Sequence, residues 1–594
     1  MSKFADTIKP QYHIYLLKTP TIMKQLIKLS LLTLAFLMPA VATAEDFAVG
    51  GIYYNINGDE ATVTYKGASP SSTYYEYFGD VTIPATVTWE GTTYPVTAIG
   101  EGAFSNCSEV TSVSIPNSVI DIGKNAFFSC KRLTSIVIPN SVTAIGEAAF
   151  NYCSGLISAT IGNSVLTIGN SAFAQCTNLT DIVLGNSVTS IGMAAFSLCY
   201  NLGSVTIPSS VTEISNLAFN DANVDYFIVD GGNPKFDSRD NCNAIIETAT
   251  NKLIWGSNHT VIPNTVKLIS SGSFGSRRGL TSINIPKSVT SMGNLLFKGC
   301  TSLTSITVDS DNPKYDSRDN CNAIIETATN KLMEGCVNTI IPSTVTAIAG
   351  YAFTERELTT FVIPDNVTDI GSSAFSSCSM LTSITLPNAI TDIKFNTFSN
   401  CKSLTSIDIP NTVTSIGSAA FSYCDGLTSV VIPNSVTEII SSAFYLCKNL
   451  TTVTIPGSVT QIGKSSFYDC PNLTTVYSYI NDPSVVDIGY NAFQDYPNPD
   501  YDKRTLYVPQ GTTEAYQNHT AWGPYFGTII EMESEQQPGD INGDGKVSIT
   551  DVTFLINILL ENGDVPDNAD VNGDGKVNIG DVVALIDILL NGND

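Results

Sequence analysis

A phenylalanine recurs along most of this chain with a nearly constant step. It stands at Phe104, Phe127, Phe150, Phe173, Phe196 and Phe219, each 23 residues after the last. The series resumes at Phe274 and Phe297, then runs through Phe353, Phe375, Phe398, Phe421, Phe444 and Phe467 with one 22-residue step, and ends at Phe493 after a step of 26. A unit this short cannot enclose a core of its own. Each must bury its apolar face against its neighbours, which makes the architecture a solenoid of stacked coils.

One unit reads Leu133-Thr-Ser-Ile-Val-Ile-Pro-Asn-Ser-Val-Thr-Ala-Ile-Gly146-Glu-Ala-Ala-Phe150-Asn-Tyr-Cys153. Ile136 and Ile138 alternate with Ser135 and Val137, the pattern of a half-buried strand with its isoleucines inward. Pro139-Asn140-Ser141 ends that strand and turns the chain. Val142 and Ile145 return to the core, Gly146 suits a tight bend, and the Ala-Ala-Phe segment suits a short helical turn. The phenylalanines then form a ladder of stacked rings inside the solenoid.

These residues resemble the BspA-like leucine-rich-repeat family of secreted bacterial proteins, over roughly residues 47–530. The resemblance extends to both ends. Residues 45–95, with Gly51-Ile-Tyr-Tyr-Asn55 and Gly79-Asp-Val-Thr-Ile-Pro84, read as a β-rich N-terminal cap. Repeats fill 96–496, and 497–530, with Leu506-Tyr-Val-Pro509 and Ala521-Trp-Gly523, reads as the closing cap. Two insertions, near 231–256 and 310–336, are themselves a duplication: Asn233 to Leu253 returns 79 residues later as Asn312 to Leu332, with Tyr315 in place of Phe236. In each, β-prone segments such as Ala244-Ile-Ile-Glu and Lys252-Leu-Ile flank Thr-Ala-Thr-Asn, the signature of a β-hairpin. A longer coil bulging from the solenoid is the simpler reading, with a ligand loop as the alternative.

Eleven of the 14 cysteines sit three residues after the repeat phenylalanine, in one column. There they serve as small hydrophobes, and buried free thiols are expected rather than bridges. Ala222 occupies the same column. Cys321 and Cys336 flank the second insertion and have the reach to pair, but the first copy carries Cys242 and Ser257, so the fold does not require that bridge.

The first 44 residues carry an export address. Met23 to Lys28 is a basic start, Leu29 to Met38 a short apolar run, and Ala42-Thr43-Ala44 a small-x-small cleavage pattern, with Met23 as the expected start and Glu45 near the mature one. No later segment approaches the length of a membrane span, so no integral membrane segment is expected in the mature chain. A net charge of −26 excludes nucleic acid as a partner, since a basic footprint would be needed.

Past a polar linker at 531–539, residues 540–594 contain a loop motif twice. The first loop offers Asp540, Asn542, Asp544, the carbonyl of Lys546, Ser548 and Asp551 at positions 1, 3, 5, 7, 9 and 12; the second offers Asp570, Asn572, Asp574, the carbonyl of Lys576, Asn578 and Asp581. Gly545 and Gly575 stand at position 6. Six oxygens at this spacing wrap one hard cation, so two Ca2+ sites are expected. The module's 11 acids and 2 lysines leave a net charge of −9, which cation binding relieves. Each loop runs into an apolar helix, Val552 to Leu560 and Val582 to Leu590. The duplicated loop-helix, with Asp at position 12, resembles a dockerin, a small all-α calcium-binding domain. That resemblance implies a cohesin-like partner, contacted through loop positions 10 and 11. Those positions hold Ile549-Thr550 and Ile579-Gly580 here, where cellulosomal dockerins often carry Ser-Thr, so the class of partner stays open.

No catalytic constellation is visible. His13, His259 and His519 are isolated, and no pair of carboxylates recurs in a setting that would split their pKa values. The chain is expected to be non-enzymatic and secreted or held at the cell surface. Its fold class is a leucine-rich-repeat solenoid, mostly β with short helical turns per coil, followed by the dockerin-like domain. Outward strand positions such as Ser112/Ser114, Ser204/Thr206 and Ser383/Thr385 offer the solenoid a recognition face for a host matrix protein or glycan. The BspA-like resemblance favours adhesion. The alternative is a non-catalytic structural subunit of an extracellular polysaccharide-degrading complex.

Overall fold

A computed structural model describes residues 45–67, 76–496, 500–532, 541–542, 547–561, 566, 569–571 and 576–591. The expected export address at 1–44 and most of the expected linker lie outside them, as do Asp540, Asp544, Gly545, Lys546, Asn572, Asp574 and Gly575.

Each regular coil has three sides. The first is a short strand such as Ser135–Val137, parallel to Ser158–Thr160, which in turn pairs with Asp181–Val183; Ile136, Ala159 and Ile182 fall in one register and all point into the core. The second is a two-residue strand such as Ala144–Ile145, between Asp121–Ile122 and Thr167–Ile168. Such short strands are held by their neighbours on both sides rather than by their own propensity.

The third side carries the phenylalanine. Bonds from Ala149 N–H to Gly146 O and from Cys153 N–H to Phe150 O, both 3.3 Å, close single helical-type turns. The turns do not propagate into a helix, because Ala148 (φ 53°) and Tyr152 (φ 61°) are left-handed. This side is also laced coil to coil, with Phe150 N–H donating to Ala172 O at 2.7 Å.

The rings stack as the spacing predicts. Phe104, Phe127, Phe150, Phe173, Phe196 and Phe219 succeed one another at 4.9–5.6 Å with planes within 11°, and Phe353 to Phe493 form a second series at 5.0–5.7 Å with planes within 16°. The motif's hydroxyls also act between coils: Ser141 Oγ donates to Val119 O at 2.6 Å, and Asn163 N–H reaches Asn140 Oδ1 at 2.7 Å.

The role of Gly146 differs from the expected bend. Its φ is not positive; instead, a Cβ there would lie 2.6 Å from the backbone of Gly123 and Lys124. Glycine at this position lets consecutive coil backbones approach, while Ala148 two residues on makes the left-handed step.

The insertions are hairpins built into the solenoid. Ala244–Glu247 pairs antiparallel with Lys252–Gly256, which then rejoins the second-side sheet by pairing parallel with Leu268–Ile269. Ala323–Glu326, Lys331–Gly335 and Ala347–Ile348 repeat the arrangement. Each hairpin replaces a phenylalanine turn and interrupts the ring ladder, so the buried apolar core falls into three clusters: Phe47 to Trp255, Cys242 to Cys336, and Cys321 to Phe526.

At these two joints the cysteine column changes residue. Arg277 and Arg356 stand three residues after Phe274 and Phe353, and both are buried. Arg277 donates to the carbonyls of Gly256 (2.6 Å), Gly275 (2.8 Å) and Ala222, and Arg356 to those of Gly335 (2.9 Å) and Phe297. In the coils that carry cysteine, the thiol does the same work over a shorter reach, as Cys130 Sγ–H to Phe104 O at 3.2 Å shows. All 14 cysteines are buried and unbridged, Cys321 and Cys336 included.

At the N-terminal end, Phe47–Val49, Ile52–Asn57 and Glu60–Thr64 form an antiparallel meander that joins Thr92–Ile99 in parallel and so starts the second-side ladder. At the other end, helix α1 (Thr513–Asn518) and buried Trp522 cover the last ring, Phe493, at 5.2 Å. No helix among the described residues is long and apolar enough to cross a membrane.

Candidate functional site

The module's helices, α2 (Ile549–Glu561) and α3 (Ile579–Asn591), pack Val552, Leu555 and Ile558 against Val582 and Leu585. Each begins with a side-chain cap, in which the residue before the helix accepts the N–H two residues on, and the carboxylate three residues on accepts that first residue's own N–H. Ser548 Oγ accepts Thr550 N–H at 3.2 Å, and Asp551 Oδ2 accepts Ser548 N–H at 2.8 Å. The second unit repeats it: Asn578 Oδ1 accepts Gly580 N–H at 2.7 Å and Asp581 Oδ2 accepts Asn578 N–H at 2.8 Å.

This brings together part of each expected ligand set. Asp551 Oδ1 also accepts Asn542 N–H at 3.1 Å, so loop positions 3, 9 and 12 converge on one buried carboxylate. Asp581 is equally buried, and Lys576 O turns toward its loop, accepting Asn578 Nδ2 at 3.4 Å. Asp570 is half-buried at the start of the second loop. Among the described residues no three acidic, histidine or cysteine side chains converge. A fully buried carboxylate whose partners are neutral N–H and O–H groups, with no Lys, Arg or His paired to it among the described residues, is costly unless a cation joins it. The donor set around Asp551 therefore fits a hard cation.

The helices also carry a second apolar stripe that the module does not bury. Ile549 (68% exposed), Ile556 and Leu560 (76%) lie at i, i+7 and i+11 on α2, and Ile579 (69%), Val583 and Ile586 lie at i, i+4 and i+7 on α3. A helix apolar on two faces after folding has one face left for a partner.

On the solenoid, the outward strand positions project from the first side as expected, but the column is less uniformly polar than the hydroxyl pairs suggest. Val137, Val183, Val261, Ile340, Val362 and Val431 share the column of Ser114 and Thr206, and all are more than half exposed. The signal was legible in the residue before each Ile-Pro or Leu-Gly step. Of the histidines, the His259 ring stacks on Tyr226 at 4.7 Å and His519 Nδ1 accepts Ala521 N–H at 3.1 Å, while His13 lies outside the described residues.

Comparison with known proteins agrees with this division. A family model for the BspA type leucine rich repeat region matches residues 97–225, 256–380, 324–448 and 369–500, and one for the dockerin type I domain matches 538–590. The unmatched stretch after residue 225 contains the first hairpin. Among solved structures, a leucine rich cell surface protein of Faecalibacterium prausnitzii A2-165 is 26% identical with a TM-score of 0.37, covering 74% of this chain and 97% of that one. A leucine-rich repeat protein of Bacteroides ovatus is 25% identical with a TM-score of 0.31, covering 73% and 94%. The pneumococcal vaccine antigen PcpA is 16% identical with a TM-score of 0.34, covering 83% and 100%. TM-scores this low add nothing to the family matches. No curated protein matches the chain.

Proposed function

Since the chain belongs to the BspA-type leucine-rich-repeat family and ends in a dockerin type I domain, we propose that it is an exported, non-catalytic binding protein, docked through its C-terminal module. Both are non-catalytic domain types typical of extracellular proteins; dockerins bind calcium in general and engage cohesin-type partners, and leucine-rich repeats bind proteins.

Two Ca2+ ions are assigned to the two loops. Asp540, Asn542, Asp544, Lys546 O, Ser548 and Asp551 would hold one, and Asp570, Asn572, Asp574, Lys576 O, Asn578 and Asp581 the other. When bound, the ions supply the positive charge that lets an acidic module close. Asp551 and Asp581 hold each loop to the first turn of its helix, and so set the exposed stripe beside the loop. The observation that carries this reading is that stripe, with Ile549 and Ile579 at the loop positions where dockerins meet their partners. An isoleucine there favours apolar packing over hydroxyl hydrogen bonds, so the cohesin-like partner is expected to present an apolar patch. The first-side columns of the solenoid are then free to hold a matrix protein or glycan in weak, repeated contact.

The test is capture of partners from the surface fraction by the full chain, with calcium and with chelator. Calcium-dependent capture of a cohesin-like protein, lost in Ile549→Asp plus Ile579→Asp while the solenoid keeps its own ligands, supports docking. Capture indifferent to calcium and to both substitutions refutes it. Asp540→Ala plus Asp570→Ala should abolish the calcium-induced rise in the module's melting temperature; an unchanged rise would mean other ligands.

A further inference from the structure

The second-side ladder runs unbroken from Glu60–Thr64 to Glu213–Ile214 and then stops. Along it each coil offers two carbonyls forward. Ile120 O receives Thr143 N–H at 2.9 Å and Ile122 O receives Gly146 N–H at 2.8 Å; at the last step Thr189 O and Ile191 O receive Thr212 and Ser215 N–H at 2.9 and 3.0 Å. The next carbonyls in the row, Thr212 O and Ile214 O, have no such donor among the described residues. The segment 23 residues on, Phe236–Asp237, pairs antiparallel with Ala244–Glu247 instead. Between edge and hairpin lies a groove of about 450 Å³, walled by Met193, Glu213, Lys235, Phe236, Glu247 and Ile254.

The break recurs at the second hairpin: Ser291–Met292 ends its sheet, Thr290 O and Met292 O likewise pass to no following coil, and the hairpin opens at Tyr315–Asp316. A third sheet end, at Asp369–Ile370, is followed directly by a regular coil with its own strand, Asp392–Ile393, and has no hairpin beside it. Lys314, Tyr315 and Glu326 stand where Lys235, Phe236 and Glu247 stand in the first copy.

We infer that these two breaks are strand-acceptor sites, each taking a short extended segment of a partner polypeptide. The open acceptors keep the spacing of the ladder they terminate, and what filled them at every earlier step was backbone N–H of a parallel strand. At the first break the apolar wall of Met193, Phe236 and Ile254 suits an aliphatic side chain, and the carboxylates of Glu213 and Glu247 suit a basic one beside it; at the second, Ser291 stands in the place of Glu213 and Glu326 is paired with Lys314 at 3.6 Å, so that site carries no preference for a basic residue. An edge only two residues long gives each site few hydrogen bonds and does not template aggregation. Two such sites on one chain gain by avidity what each lacks. This extends the protein-binding reading of the solenoid and does not involve the module.

The probe is a labelled peptide copying residues 186–193, Asn-Ser-Val-Thr-Ser-Ile-Gly-Met, added to the full chain. In the intact ladder the amides of Thr189 and Gly192 donate to Leu166 O and Ile168 O at 2.8 and 2.9 Å. Saturable binding at two sites is expected, weakened about tenfold or more when those two amides are N-methylated. A photoreactive version should crosslink within 190–254 and 268–333. Equal binding by the N-methylated peptide, absence of saturable binding, or crosslinks outside those stretches would overturn the assignment. If the solenoid still captured a matrix protein in that case, the strand-acceptor sites alone would fall.

Discussion

In the middle of a regular block, the residue three past the phenylalanine is a cysteine; at the two joints it is an arginine. Cys401 Sγ–H reaches Phe375 O at 3.3 Å, one coil back. Arg356 reaches Phe297 O, 59 residues away, because the hairpin between them supplies no phenylalanine turn. Where the column carries cysteine or arginine beyond the first coil, it donates to a buried carbonyl and the distance to that carbonyl selects between the two; Ala222 shows that a coil can do without the bond. A small weak donor suffices where coils are adjacent, while a long side chain with several donors is needed where a turn is missing.

The sharpest way to break this comparison is Arg356→Ala. It takes a donor from the carbonyls of Gly335 and Phe297, the latter keeping the Cys300 N–H at 3.0 Å, and leaves Glu334 buried without its cation, 3.7 Å from Arg356 in the intact chain. A loss of about 3–5 kcal/mol is expected in denaturant unfolding, with the transition splitting at the second joint. A loss near that of a cysteine substitution would show that the two residues are interchangeable after all.

The two joints should also differ in pH response. Glu334 stands where the first joint has Trp255, and burial pushes its carboxyl up to about 7 although Arg356 pulls it down. A folded pKa above the unfolded one means stability that is fully present below about pH 4.5 and lost as pH rises through about 7. The stability of the second joint should thus fall by up to roughly 3 kcal/mol as pH rises from about 4.5 to about 7, and Glu334→Gln should flatten the profile. Hydrogen exchange at the two joints across that range checks it; equal slopes would refute it.

Cys401→Ala should cost only about 1 kcal/mol, the loss of a small group and a weak donor, read as a slight fall in denaturation midpoint. Burial raises the thiols of Cys199, Cys378 and Cys470 to about 12, so none should react with a thiol reagent at pH 8 until the coils open. Prompt labelling of the native chain would place the column at the surface. Smallest of all, Ser141→Ala removes one bond to Val119 O and should cost about 0.5–1 kcal/mol in the same assay.

Much of this was open to reading in one dimension. Ile136, Ile138 and Val142 take the buried places that their alternation assigns, the phenylalanine spacing becomes ring stacking, and the hairpins form where Thr-Ala-Thr-Asn divides β-prone segments. A repeat makes such inferences strong because each coil tests the same rule again. Arg277 and Arg356 were equally visible at three residues past a phenylalanine, but read singly an arginine suggests surface. Only the missing turn makes it a core residue. Likewise Ile549, Leu560 and their counterparts look like one apolar helix with the buried set, and only packing separates the face that is covered from the face that is left.

The sequence by itself determined the coil, its period, the inward residues and the oxygen-rich loops, because each depends on contacts between residues near in the chain or exactly one repeat apart. The tertiary structure decided what happens where the repeat fails: which carbonyls an arginine must cross a joint to reach, why Gly146 has no side chain, and which strand edges stay open beside each hairpin. Those outcomes depend on the stacking distance between coils, a quantity set by the whole array and written in no single repeat.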